Sequence, residues 1–184
     1  MSSLRADSAR VRAQMLDAAR ARIASGDLEL PMNAIAKDAG VGVGTMYRHF
    51  ATRRVLLETL AADSYAALIA EARAAAENPD VAAGLAGLLR AALRCQLDDA
   101  ALAEVLASSS YECAETLELG RELGEVSLQV LTRARAAGVI RDDVTADDMR
   151  RLTCGIRRAV DSGDDSDGTA ADRYLDVVLK GLRP

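Results

Sequence analysis

One short segment, residues 31–50, restricts the possible folds of this chain more than any other feature. Apolar residues recur at helical spacing on both sides of Gly40: Ile35, Ala36 and Ala39 before it, and Val43, Met46 and Phe50 after it. Glycine adopts the left-handed backbone that a sharp turn between two helices requires. The segment therefore predicts a helix-turn-helix unit, whose second helix enters the major groove of duplex DNA.

The rest of the chain also favours helix over strand. Half of its 184 residues are hydrophobic, whereas only 3% are aromatic and three are proline. The expected fold class is all-α, with an N-terminal three-helix head and a larger helical body. Apolar periodicity predicts about nine helices, near residues 7–25, 32–39, 43–50, 53–77, 81–97, 99–108, 115–137, 145–161 and 170–182.

Charge is distributed unevenly along the chain. Residues 1–54 contain nine Lys or Arg and five Asp or Glu, and residues 55–184 contain fourteen and twenty-three. The net charge is therefore +4 in the first part and −9 in the second. A basic head on an acidic body attracts DNA to one face and repels it elsewhere. We expect residues 1–54 to form the DNA-binding head and residues 55–184 to form a separate helical domain.

What the sequence lacks disfavours several other classes of protein. No run of about 18 apolar residues could cross a membrane, and the N-terminus has no apolar signal core, so we expect a cytoplasmic protein without a membrane partner. The only histidine is His49, and no catalytic triad, Cys/His pair, phosphate loop or metal motif is present. We therefore expect no enzymatic activity, no cofactor and no metal.

The three cysteines and one acidic segment are expected to have no specialised role. Cys95, Cys113 and Cys154 lie far apart in the sequence and are expected to be reduced thiols, with redox sensing as an alternative. The acidic segment 161–168 departs from a calcium-binding loop at Gly163, where an acid is required. A solvated loop is the expected structure there.

The candidate DNA contacts are residues that the predicted recognition helix and the start of the next helix expose. Tyr47 and His49 can donate hydrogen bonds to phosphate oxygens, and Thr45 can meet a phosphate or a base edge. Packing within the head is the alternative for Tyr47 and His49, and simple solvation is the alternative for Arg53 and Arg54. The complete set is Val43, Gly44, Thr45, Tyr47, Arg48, His49, Thr52, Arg53 and Arg54.

Residues 40–50, Gly-Val-Gly-Val-Gly-Thr-Met-Tyr-Arg-His-Phe, together with Thr52, Arg53 and residues 55–57, resemble the signature of the TetR/AcrR family of bacterial transcriptional regulators. The resemblance implies an all-α homodimer, in which the last two helices of each subunit pair as a four-helix bundle. It also implies that residues 55–184 are an effector-binding and dimerisation domain. A small molecule bound there would shift the heads and release the DNA.

The resemblance also assigns roles within the recognition helix. In this family, residues that match Val43 and Gly44 lie near bases, and contacts to the DNA backbone come from those that match Thr45, Tyr47 and His49. Gly42 stands where the family often has a serine or threonine that caps this helix. A weaker cap is therefore expected here.

Two apolar stripes near the C-terminus are candidates for the dimer interface. They comprise Met149, Leu152, Thr153, Ile156 and Val160 in one helix, and Tyr174, Leu175, Val178, Leu179 and Leu182 in the next. Burial inside one subunit would explain the same stripes. A dimer has a functional advantage, because two recognition helices can bind half-sites about 34–36 Å apart.

The candidate ligand pocket lies among the helices between about residues 81 and 137. Ordinary core packing is the alternative explanation for every residue in the set. The body has no histidine, tryptophan or phenylalanine, which favours a small or aliphatic ligand over a large aromatic cation. The expected pocket residues are Cys95, Leu102, Leu106, Tyr111, Cys113, Leu117 and Leu131.

These observations together predict a sequence-specific, DNA-binding regulator of transcription. The expected form is a homodimeric repressor that binds a palindromic operator in double-stranded DNA and is released by a small-molecule effector. Two alternatives are a regulator with no small-molecule ligand, whose effector is a protein or which acts constitutively, and an activator.

Overall fold

The computed structural model of the chain describes residues 2–108, 110–163 and 168–184, and the side chains from residue 6 onward. These residues form helices without any strand, which confirms the all-α prediction. The first helix begins at Ser2 rather than near Asp7, and Asp165 and Asp167 of the acidic segment lie outside the described residues. The helices are α1 (Ser2–Ala24), α2 (Met32–Asp38), α3 (Val43–His49), α4 (Arg53–Glu77), α5 (Val81–Asp98), α6 (Ala100–Ala107), α7 (Ala114–Ala136), α8 (Ala146–Ser162) and α9 (Ala170–Gly181).

Side-chain caps fix the starts of four helices. Thr52, Asp80 and Asp99 each accept a hydrogen bond from a backbone N–H in the first turn of α4, α5 and α6. Thr145 and Asp148 form a reciprocal capping box at the start of α8. These polar residues lie between apolar runs, and they account for the close agreement between the predicted and observed boundaries.

The head consists of α1, α2 and α3 around a small core. Met15, Ile35, Met46 and Phe50 have no exposed surface there. The turn between α2 and α3 passes through Gly40, whose φ of +68° confirms the left-handed backbone expected at this glycine. Neither α2 nor α3 has a side-chain cap, so their position depends on this core and on the turn.

The long helix α4 is the centre of the body. It packs against α5, α6 and α7, and it also contacts α1 of the head. α8 packs against α5, α6 and α9. The buried apolar residues form one continuous cluster from the head to α9, and α4 contacts both the head and the body helices. No helix within the described ranges is long and apolar enough to cross a membrane.

Candidate functional site

The recognition helix α3 presents one face outside the head. Val43 and Tyr47 are 44% and 46% exposed, and Gly44 and Arg48 are exposed beside them. Met46 is buried completely against the head. The outer face of α3 therefore combines an apolar side chain, a phenol hydroxyl and a cation around a glycine that permits close approach of another backbone.

The guanidinium of Arg48 bends back along α3. Its Nε donates to the carbonyl oxygen of Gly44 at 3.2 Å, and its Nη2 donates to Oγ1 of Thr45 at 3.0 Å. Thr45 and His49 are half-buried, and the His49 ring centroid lies 6.5 Å from that of Phe50. Arg48 forms no ion pair within the described part of the chain, so its charge is not compensated and can meet a phosphate.

Other cations of the head differ in whether a carboxylate neutralises them. Three arginines of α1 are paired with aspartates. Arg12 and Lys37 form no ion pair with any described carboxylate, and the Arg12 guanidinium lies 5.2 Å from the centroid of the Phe50 ring. Lys37 is exposed in the last turn of α2. The sequence-based set omitted it, although its place in the first helix of the helix-turn-helix could have identified it.

Thr52 and Arg53 bind groups of the protein itself. The Thr52 hydroxyl caps α4 and also donates to the carboxylate of Glu112. Arg53 donates from Nε to the carbonyl of Glu29 at 2.9 Å and from Nη2 to the carbonyl of Leu28. Arg53 therefore fixes the connection between α1 and α2, and Nη1 is the nitrogen it retains for a phosphate.

For Arg54, the structure gives a different role from the expected DNA contact. Its Nε donates to Oε1 of Glu58 at 2.8 Å, and its Nη1 donates to the carbonyl of Glu104 at 3.2 Å. Its Nη2 donates to the carbonyl of Ser110 at 2.8 Å. All three nitrogens are thus bonded to the body, and the side chain is only 19% exposed. Arg54 joins the start of α4 to the end of α6 and to the segment before α7.

Glu58 is the second residue of this junction between the start of α4, the end of α6 and the segment before α7. Its carboxylate has no exposed surface and accepts hydrogen bonds from the backbone N–H groups of Glu112 at 3.0 Å and Cys113 at 2.8 Å, in addition to Arg54. Burial acts to raise the pKa of Glu58, but the hydrogen bonds from Glu112, Cys113 and Arg54 outweigh it, so the pKa lies below its ordinary value. An ionised Glu58 therefore holds the beginning of α7 against α4.

An apolar cavity of about 80 Å³ lies inside the body, among α4, α5, α6, α7 and α8. Leu106 and Leu131 of the expected pocket set line it. The sequence-based set omitted other lining residues, which include Leu68 on α4, Leu85 on α5 and the polar side chain of Gln96. Helical periodicity marks all these positions as apolar or inward-facing, but it does not distinguish a cavity wall from a filled core.

The remaining expected pocket residues lie elsewhere. Cys95 lines a separate groove between α1, α4 and α5, and Leu102 is completely buried in the core. The Tyr111 hydroxyl forms a hydrogen bond of 3.0 Å with a buried tyrosine. Cys113 precedes α7, and Leu117 is 57% exposed. The structure thus places five of the seven expected residues outside the cavity.

The cysteines are in environments that keep them protonated. Burial raises the pKa of Cys95 and of Cys154. Burial, together with the hydrogen bond and the charge of the neighbouring Glu58, raises the pKa of Cys113 to about 11. Thiols with raised pKa values form little thiolate, which is the form that oxidants attack. The described ranges also contain no cluster of ligating side chains arranged to bind a metal.

The two C-terminal stripes divide between internal packing and an exposed face. Side chains of the expected interface that are buried within one subunit are Met149, Thr153, Ile156, Leu175 and Leu182; Val160, Tyr174, Val178 and Leu179 are half-buried. Leu152 is 37% exposed, and Val177, which the prediction omitted, is 64% exposed. An apolar groove between α8 and α9 joins these two with Gly155, Ala159 and Tyr174. The open part of this surface therefore includes Leu152 and Tyr174 of the predicted stripes, together with Val177.

Two family models match the chain. Residues 15–60 match bacterial regulatory proteins of the tetR family, and residues 80–184 match the C-terminal domain of SbtR-like transcriptional regulators. The first match includes the helix-turn-helix, and the second includes most of the body. Among curated proteins, none matches the chain.

Solved structures of regulators resemble the whole chain. A TetR transcriptional regulator from Streptomyces coelicolor is 31% identical over 94% of this chain and 98% of its own, with a TM-score of 0.54. A TetR regulatory protein from Mycobacterium vanbaalenii is 28% identical over 98% and 99%, with a TM-score of 0.50. The ketosteroid regulator KstR2 of Mycobacterium tuberculosis, at 22% identity over 94% and 95% and a TM-score of 0.63, shares the fold.

Proposed function

Because this chain belongs to the TetR family of DNA-binding transcriptional regulators, we propose that it is a homodimeric repressor that a small molecule releases from a palindromic operator. TetR regulators bind DNA and small-molecule ligands and form dimers. The observation that supports the ligand response is the position of Leu106. This residue lines the body cavity and lies in the same turn of α6 as the carbonyls that bind Arg54 at the start of α4.

The DNA contacts come from the exposed face of α3. Tyr47 supplies a hydroxyl donor and Arg48 an uncompensated charge, and both suit phosphate oxygens. Val43 and Gly44 are small enough to let α3 enter the groove. Lys37 at the end of α2 adds a second uncompensated charge next to the turn. Arg54 is not part of this surface, because its nitrogens are bonded to the body.

The link between the cavity and the head runs through α6. Leu106 lines the cavity, and its carbonyl accepts a hydrogen bond from Nη1 of Arg150 at 2.9 Å. The carbonyls of Glu104 and Val105, in the same turn, bind Arg54. A ligand that pushes Leu106 outward therefore moves the carbonyls that hold Arg54. Because Arg54 lies in the first turn of α4, directly after α3, the displacement reorients the recognition helix.

The exposed groove between α8 and α9 is the proposed dimer interface. Leu152 and Val177 supply its apolar surface, while Gly155 and Ala159 permit close approach of the partner's helices. An apolar face of this kind on a subunit surface is typical of an oligomer contact. In the proposed dimer, a two-fold axis through this groove relates the two α3 helices, as a palindromic operator requires.

Selection of genomic DNA fragments by the purified protein, followed by footprinting, tests this function. A protected palindrome with half-sites one helical turn apart is the expected result. A compound that binds the body should then reduce protection in proportion to its occupancy. Diffuse, salt-sensitive binding without a footprint would refute operator recognition. A footprint that no bound compound weakens would refute the ligand response and leave a regulator with a protein effector or with none.

A further inference from the structure

We infer that the body cavity binds a neutral, mainly aliphatic molecule that donates one hydrogen bond to the side-chain oxygen of Gln96. This inference rests on the proposed ligand response, since it names the chemistry of the molecule that the same cavity would take. It is carried by three properties of the wall: its apolar surface, its unsatisfied acceptor and its compensated charge.

The wall of the cavity is almost entirely aliphatic. Ten of its fourteen lining residues are leucine, alanine or methionine, and none is aromatic. Such a wall gains free energy by covering methylene groups and offers no ring on which an aromatic ligand could stack. This surface therefore favours a ligand with an alkyl chain or a small aliphatic ring.

Gln96 is a polar side chain of the cavity wall whose hydrogen bonding is incomplete. It is only 2% exposed, and its Nε2 donates to the carbonyl of Ala92 at 3.1 Å. Its Oε1 is buried and has no hydrogen-bond partner in the described part of the chain. A buried acceptor without a donor is unfavourable, so a ligand hydroxyl or N–H that reaches Oε1 recovers a hydrogen bond that the fold itself does not make.

The only charged group in the wall, Arg150, is already neutralised. Its Nε and Nη2 donate to Oδ1 of Asp147 at 3.1 Å and 2.6 Å, and its Nη1 donates to the carbonyl of Leu106. A ligand carboxylate would have to compete with Asp147 for the guanidinium. No carboxylate lines the cavity to receive a ligand cation. Burial of either charge in this wall would be unfavourable, and a neutral ligand avoids that cost.

Calorimetric titration of the full-length protein with isomeric probes tests the inference. Straight 1-alkanols of four to eight carbons are compared with their isomeric methyl ethers, which accept but cannot donate, and with carboxylates and ammonium ions of equal chain length. The alkanols should bind about fivefold more tightly than the ethers. Their affinity should rise about fourfold for each added methylene until the cavity is filled.

Two matched variants locate the hydrogen bond. Gln96→Met keeps the length of the side chain and removes the acceptor, so alkanol and ether should bind equally. Gln129→Met makes the same change at an exposed position of α7 and should keep the preference for the alkanol. A preference that survives in Gln96→Met, tighter binding of a charged probe, or no binding of any probe would overturn the inference.

Gel shifts with the same probes separate this inference from the proposed function. Alkanols that bind in the predicted order without releasing DNA would support the cavity chemistry and refute the ligand response. Release of DNA only by a charged compound would support the ligand response and overturn the cavity chemistry. The wild-type comparison of alkanol with ether remains decisive even if Gln96→Met does not fold.

Discussion

Replacement of Glu58 by alanine should destabilise the protein strongly, although Glu58 lies neither on the exposed face of α3 nor in the cavity wall. The substitution removes the acceptor of three hydrogen bonds, from Arg54 and from the backbone N–H groups of Glu112 and Cys113. The Glu58 carboxylate is fully buried, and Arg54 is only 19% exposed. Solvent therefore cannot replace most of what is lost.

The size of the effect follows from the burial of the pair. Removing one partner of a buried ion pair costs about 3–5 kcal/mol, because the other charge is left without compensation. We expect a loss of about 4 kcal/mol in the free energy of unfolding. For a chain of this length, 1 kcal/mol lowers the midpoint of thermal unfolding by about 2–4 °C, so the midpoint should fall by about 8–16 °C.

Urea denaturation followed by circular dichroism measures the loss, at one fixed protein concentration because the stability of the proposed dimer depends on concentration. Glu125→Ala is the matched control. Arg121 and Glu125 have the same i,i+4 spacing as Arg54 and Glu58, but they are 58% and 59% exposed. The control should leave the midpoint unchanged within error. A loss below about 1 kcal/mol for Glu58→Ala would refute the conclusion that this junction holds the start of α4 to α6 and to the beginning of α7.

Four further predictions address acid stability, DNA contacts, dimerisation and oxidation. Folding lowers the pKa of Glu58, so the stabilisation by its charged form is present above the unfolded pKa of about 4.3 and is lost as pH falls through the folded pKa. In thermal melts, the stability advantage of wild type over Glu58→Gln should therefore shrink below about pH 4. Arg48→Ala should weaken operator binding and reduce the salt slope of the binding constant by about one unit, whereas Tyr47→Phe should weaken binding about fivefold and leave the slope unchanged. Arg158→Ala, at an exposed position of α8, is the control. An unchanged affinity in both head variants would exclude these contacts. Val177→Glu should yield monomers in sedimentation experiments, whereas Leu128→Glu on the exposed face of α7 should not; a dimer in both would exclude the α8–α9 groove as the interface. Peroxide should leave DNA binding unchanged in gel shifts, because the three thiols have raised pKa values; a loss of binding that Cys113→Ser prevents would contradict this.

The helices and the turn of the head were predictable because they depend on local sequence. Gly40 marks the turn, and Asn78 with Pro79 marks the end of α4, whatever the rest of the chain does. Thr145 with Asp148 likewise specifies the start of α8 through a capping box that spans only four residues. Signals of this kind act within about one helical turn, so they can be recognised from the sequence alone.

The cavity and the junction were not predictable in the same way, because they depend on contacts between distant residues. Leu106 and Leu117 are the same residue type in neighbouring helices, yet one lines the cavity and the other is 57% exposed. Arg53 and Arg54 are adjacent, and the sequence treats them alike. One binds the connection after α1, and the other binds carbonyls some fifty residues further along the chain.

Gln96 shows what can be added once those contacts are known. In the sequence it is one polar residue in an otherwise apolar helix face, and hydrogen bonding to its own helix would be a sufficient explanation. The structure shows that this bond uses the amide nitrogen and leaves the oxygen buried without a donor. A methionine of similar size would avoid that cost, so stability alone does not account for a glutamine at this position. A buried acceptor without a partner, on a residue that lines an aliphatic cavity, is best explained by a molecule that brings the missing donor.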